Sequence, residues 1–123
     1  MNKKISIGIL AVLAISLLFI LKPSEKVMAN LDDFAQCLAD RGAVMYGAEW
    51  CPHCQDEKRA FGDSWHIVPY VECPDDPALC LDKEITGYPT WLIGTSTRLI
   101  GTQGVEKLSE ITGCFIQLEK GEQ

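Results

Sequence analysis

The octet AEWCPHCQ, Ala48 to Gln55, constrains this chain more than any other stretch. Two cysteines at this spacing clamp a metal, form a structural bridge, or make and break a disulfide for another molecule. Side chains at i and i+3 of a helix face the same way, with Cβ atoms about 5–6 Å apart. That is close to bridging distance, so little movement separates dithiol from disulfide. Pro52 suits the first position of a helix, where a missing N–H costs nothing. Cys51 then stands where unpaired N–H groups and the helix dipole favour an anion, and it is the expected exposed, attacking thiolate. Cys54, one turn further in, is the expected resolving thiol, and His53 the expected thiolate stabiliser. Trp50 is expected to cover the pair. Stabilising the thiolate stabilises the dithiol, so Pro-His tilts the couple towards donating disulfides. Zinc would want a second close pair of ligands, whereas Cys73 and Cys80 have six residues between them and His66 is the only other spare ligand. A structural bridge needs no helix start. Neither alternative explains the proline, so neither metal nor cofactor is expected.

The N-terminal segment sets the address. Ile5 to Leu21 is an uncharged run of 17 residues, behind Lys3 and Lys4 and ahead of Lys22-Pro23. It can span a bilayer if Lys22 reaches back to the interface. The lysines in front of it keep the N-terminus cytoplasmic and send the rest outward. A cleaved signal peptide, with Val27-Met28-Ala29 as its small-residue site, is the alternative. The length of the run and the charged gap after it favour a retained anchor. The chain therefore divides into a cytoplasmic 1–4, a membrane anchor at 5–21, a linker at 22–29, a domain at 30–118 and a tail at 119–123. The domain is expected on the extracytoplasmic side, periplasmic or cell-surface.

Setting aside Lys3, Lys4, Lys22, Lys26 and Glu25 moves the net charge from −6 to −9. An acidic domain argues against nucleic acid and anionic lipid surfaces as partners. Its six cysteines suit a compartment where disulfides persist.

Asn30 is placed to cap a helix with Asp32 and Asp33 in its first turn and Leu31, Phe34, Ala35 and Leu38 on one face, ending at Gly42. Ala43 to Ala48 is almost wholly apolar, as a buried central strand requires. A helix from Pro52 to about Phe61 comes next, then a strand over Ile67–Glu72 with Pro69 at an edge or at its start. A short helix is expected at 78–85, a hairpin of Thr90–Ile93 and Arg98–Gly101, and a last helix near Val105–Thr112 ending at Gly113. This order predicts an α/β sandwich with a mixed central sheet flanked by helices, its parallel strands first and an antiparallel hairpin last.

The second anchor is ITGYPT, Ile85 to Thr90. Pro89 follows a short helix and opens a strand, where a cis Tyr88–Pro89 bond makes a tight turn. That would leave the Tyr88 backbone beside Cys51, free to pair with an extended substrate chain. Tyr88, Pro89 and Thr90 are the expected substrate-binding residues.

YGAEWCPHC followed by GYPTW resembles the thioredoxin superfamily. More narrowly, FAQCL…RGAVMYGAEWCPHCQDEK…FG…YVEC…C…ITGYPTW is similar to the thioredoxin-like domain attached to bacterial vitamin K epoxide reductase homologues, over nearly all of residues 31–114. The resemblance implies a thioredoxin-like sandwich and an exported thiol–disulfide oxidoreductase. Its CxxC would pass disulfides to exported protein thiols and be reoxidised by a membrane quinone-linked partner. With one apolar segment in this sequence, that partner is expected to be a separate chain. An envelope thiol reductase or disulfide isomerase is the alternative, and a non-catalytic metal-binding module a third. One departure is Met45, at the position six before Cys51 where thioredoxins usually carry a buried aspartate. Cys73 and Cys80 are expected to bridge and pin the Pro-Asp-Asp-Pro loop. Cys37 and Cys114 would sit on opposite faces of such a sandwich, which favours two buried thiols over a bridge.

Overall fold

The computed structural model describes residues 30–117. The expected anchor at 5–21 and tail at 119–123 lie outside the described residues. Among the described residues no helix is long and apolar enough to cross a membrane.

Helix α1 (Asp32–Asp40) carries Asp32 and Asp33 in its first turn, where carboxylates complement the dipole. The Asn30 side chain accepts from the Asp32 N–H at 2.9 Å, one step before the Leu31 cap position. Gly42, at φ +70°, turns the chain into β1 (Ala43–Gly47). Helix α2 (Pro52–Phe61) comes next with Pro52 in its first turn, then a 3₁₀ stretch at Gly62–Ile67 and β2 (Tyr70–Glu72). The expected strand over Ile67–Glu72 is thus shorter. Ile67 belongs to the 3₁₀ stretch, and Pro69 offers β1 only its carbonyl, which accepts from Met45 N–H at 3.0 Å.

Helix α3 (Pro77–Asp82) is capped by the Asp76 side chain on Leu79 N–H at 3.1 Å. It stops short of the expected 85 because the chain reaches positive φ at Glu84. Strands β3 (Thr90–Ile93) and β4 (Thr97–Ile100) form the hairpin, the second beginning one residue earlier than expected. Helix α4 (Gly104–Thr112) ends on Gly113 in the left-handed conformation.

The sheet order is β2-β1-β3-β4, with β1 parallel to β2 and antiparallel to β3. The alternation along β1 and β3 divides the interior. On one side Ala43, Met45 and Trp91 meet Phe34 and Leu38 of α1, Cys54 and Phe61 of α2, Leu108 of α4, and Cys114. On the other, Tyr46 packs with Cys73 and Cys80, flanked by Val44, Val71 and Leu92.

This division overturns the expectation for Cys37 and Cys114. They form a disulfide, with Cα atoms 5.8 Å apart. Helices α1 and α4 share a side of the sheet, so the residues after Gly113 reach α1 without crossing an edge. Cys114 is anchored there by the Thr112 hydroxyl, which accepts from its N–H at 3.2 Å.

Candidate active site

The end of β1 and the start of α2 meet at Ala48–Cys51. Cys51 is the cap residue of α2, and its Sγ accepts from Cys54 N–H at 3.4 Å. Its thiol also points to the Tyr88 carbonyl oxygen, at 3.8 Å. The sulfur therefore has one backbone donor and one backbone acceptor, and each protonation state finds a partner. Access is narrower than the expected exposed thiolate: Cys51 keeps 6% of its surface open and Cys54 none. Both are free thiols. Burial pushes the Cys54 thiol up to about 12; hydrogen bonding to and charge on Cys51 add to the rise, while Ala48 and Lys58 oppose it.

Tyr88–Pro89 is a cis peptide. Pro89 and Thr90 are buried, and the Thr90 hydroxyl donates to Gly87 O at 2.7 Å. Thr90 therefore holds the loop from inside, and its side chain does not face a partner as expected of a substrate-binding residue. Tyr88 is half-buried and meets Trp50 edge-on, with centroids 6.0 Å apart. Trp50 is 69% exposed, a flap at the rim that leaves most of its ring in solvent. His53 is exposed, and among the described residues its ring makes no hydrogen bond to either sulfur.

Cys73 and Cys80 are bonded, with Cα atoms 5.7 Å apart. Their cluster lies behind the sheet from the CxxC pair but touches the loop in front: Tyr88 and Ile85 pack against it. His66 is exposed, with Nδ1 2.6 Å from Asp63 O. Among the described residues no three His, Cys, Asp or Glu side chains gather to hold a metal ion.

Two features escaped the sequence reading. Glu57, on α2, is completely buried and accepts from Trp91 Nε1–H at 3.0 Å, Gln103 N–H at 3.0 Å and Gly104 N–H at 3.1 Å. Burial raises its carboxyl above the usual range, opposed by those three donors. It ties the redox helix to β3 and to the first turn of α4, whose N–H groups need an acceptor. The signal was the spacing Cys54, Glu57, Phe61, which sets a carboxylate on the buried stripe of α2. The second is the floor under Cys54. A Cβ on Gly47 would lie 2.7 Å from Cys54 Sγ and 3.4 Å from Tyr70 Cε2, so only glycine admits the sulfur there. The Tyr70 hydroxyl donates to Glu72, and burial together with that carboxylate raises its phenol well above the usual range.

A strand, a cysteine pair at a helix start and a cis-proline loop against the first sulfur define a thioredoxin-like α/β fold. A mutant thioredoxin from Halobacterium salinarum NRC-1 matches it with a TM-score of 0.51 and 20% identity, over 72% of this chain and 84% of that one. At that identity the likeness is one of fold. The chain is 39% identical over 88 residues to the thiol-disulfide oxidoreductase LTO1 of Arabidopsis thaliana, a match covering 64% of this chain. The match spans only 23% of the length of that relative. No family model matches the chain.

Proposed function

We propose that this chain is a thiol–disulfide oxidoreductase that donates disulfides to exported proteins. The observation that carries the chemistry is the Cys51 sulfur at the start of α2, between the Cys54 N–H and the Tyr88 carbonyl. The resemblance of LTO1, named a thiol-disulfide oxidoreductase, supports the same class. In the donor direction a substrate thiolate attacks Cys51 of the Cys51–Cys54 disulfide. That bond breaks, a Cys51–substrate bond forms, and Cys54 leaves as a thiolate that takes up a proton. A second substrate thiolate then attacks the substrate sulfur of the mixed disulfide and releases Cys51 as a thiolate. The substrate has lost two electrons to the CxxC pair. The Cys54 N–H is placed to hold the departing Cys51 anion.

The finer reading puts the domain outside the cytoplasm, held to the bilayer by residues 5–21. Reoxidation would come from a separate quinone-linked membrane protein of the vitamin K epoxide reductase kind. Two closed disulfides, Cys37–Cys114 and Cys73–Cys80, support an oxidising compartment. Buried Met45, which cannot accept a proton, argues against a housekeeping reductase.

The decisive measurement is the equilibrium of the Cys51–Cys54 couple with glutathione. A potential well above that of cytosolic thioredoxin, about −270 mV, is expected. A value near it would overturn the donor reading in favour of a reductase. Cys51→Ser is expected to bring oxidation of a reduced protein substrate down to the uncatalysed rate.

A further inference from the structure

We infer that Lys58 is the positive charge that lets Cys54 work: held over the Tyr70 ring, it stabilises the Cys54 thiolate in the place of a buried proton acceptor. This inference rests on the redox reading of the CxxC pair. Cys54 becomes a thiolate when a substrate thiolate opens the Cys51–Cys54 disulfide and when Cys54 itself attacks a mixed disulfide on Cys51, and the site around it is apolar. Ala48, Met45 and Trp91 share its cluster, and the sulfur itself has no open surface. An anion there needs a compensating charge.

Lys58 is four residues after Cys54 on the same helix, hence on the same face. Its Nζ lies 4.0 Å from the Tyr70 ring centroid and 5.7 Å from that of Trp65. The Tyr70 ring edge and the Cys54 sulfur in turn close on the same spot beside Gly47. Two rings thus hold an ammonium beside the sulfur's pocket, a contact each ring face favours.

The charge is also left unpaired. Glu72 is the acid behind Tyr70, but its oxygens accept from the Tyr70 hydroxyl and from Glu49 N–H at 2.9 Å. Glu57, the acid next to Lys58, is taken up by Trp91, Gln103 and Gly104. Among the described residues no carboxylate forms an ion pair with Lys58. The titratable groups facing Cys54 are then Cys51 ahead of α2, Glu57 and Lys58 on α2, and Tyr70 with Glu72 behind it on β2. Of these only Lys58 is a cation; a hydrogen bond from the Ala48 backbone does most to lower the Cys54 thiol against its burial, and the Lys58 charge adds to it.

Lys58 is a positioning residue, and the test separates its role from packing. The reduced full-length chain is mixed with the aromatic disulfide DTNB. In a first phase Cys51 thiolate attacks, a Cys51–aryl disulfide forms and one aryl thiolate leaves. In a second phase Cys54 loses its proton to solvent and its thiolate attacks Cys51. The Cys51–aryl bond breaks, the Cys51–Cys54 bond forms, and a second aryl thiolate leaves with the electron pair. Lys58→Met, which keeps the stem and loses the charge, is expected to slow the second phase about tenfold at a fixed pH, as one pH unit of displacement implies. Its pH–rate profile should move up by about one unit while the first phase is unchanged. Lys58→Arg should restore both.

A second measurement stands apart from any exchange activity. In a Cys51→Ala background, methyl methanethiosulfonate modifies Cys54 in proportion to its thiolate, and Lys58→Met should shift that pH profile in the same direction. An unmoved profile in both experiments, or failure of the arginine to restore it, overturns the role of Lys58. Absence of the first phase in the parent chain overturns the redox reading instead, and the Cys51→Ala profile still decides Lys58.

Discussion

Cys37–Cys114 and Cys51–Cys54 belong to the same apolar core on the same side of the sheet, yet their surroundings differ. The first pair joins α1 to the segment after α4 across 77 residues, and its bond closes the domain at its two ends. The second spans a single helical turn, and its outer sulfur meets a backbone N–H and a backbone carbonyl. Burial does not separate them, since Cys54 and Cys114 are both essentially covered. The difference is polar backbone at the sulfur. A helix start supplies donors that an anion can use, whereas Cys37 and Cys114 are closed on each other and neither sulfur carries a charge to be met.

That contrast can be broken in order of effect. Removing the terminal bridge with Cys37→Ser and Cys114→Ser should cost about 4–5 kcal/mol, from the entropy of closing a loop of that length. Removing Cys73–Cys80, whose partners are only 7 apart, should cost about 2–3 kcal/mol. Urea unfolding of the full-length chain measures both. If the first variant instead lost exchange per folded molecule, the division between a structural and a chemical pair would fail.

Glu57→Ala should cost about 3 kcal/mol or more, because the Trp91, Gln103 and Gly104 N–H groups lose their acceptor together. Its carboxyl titrates above the usual range in the fold, so the folded chain binds the proton more tightly than the unfolded one. Its contribution to stability is full below the ordinary carboxylate pKa and is lost as pH rises through the raised folded value. Urea midpoints of the parent should fall through that window, and Glu57→Gln should flatten the fall.

Gly47→Ala sharpens the contrast on the chemical side. The added methyl falls 2.7 Å from Cys54 Sγ, and overpacking there should cost about 1–3 kcal/mol. It should also slow resolution of a mixed disulfide more than its formation, read as the two phases of aryl thiolate release. The smallest effect on stability belongs to Trp50→Ala, within about 0.5 kcal/mol, because the ring is 69% exposed. Its signature should be a raised KM for a protein substrate. An unchanged KM would remove Trp50 from the binding rim.

Much of the fold was legible because its signals are local. Pro52 at the helix start, the apolar run of β1 and the glycine at the end of α4 each act within a few residues. The β2 strand is shorter than its apolar pattern implies because Ile67 suits a 3₁₀ turn or a strand equally well, and it ends the 3₁₀ stretch that follows Phe61. In the site, Cys51, Cys54, Tyr88 and Pro89 were named from spacing and turn chemistry. Glu57 and Gly47 were missed because their importance lies in partners 34 to 47 residues away for the one, and in a sulfur behind the strand for the other.

By itself the sequence determined the chemistry: two thiols one turn apart, a proline that fixes where the helix begins, and a second proline to set beside them. Those are properties of neighbouring residues, and short-range geometry enforces them. Only the tertiary structure decided that α1 and α4 lie on one side of the sheet, that Cys37 meets Cys114, and that Glu57 and Lys58 turn from a charged helix stretch into a buried clamp and a held cation. Each of those outcomes depends on which faces pack together, a choice made by the whole core.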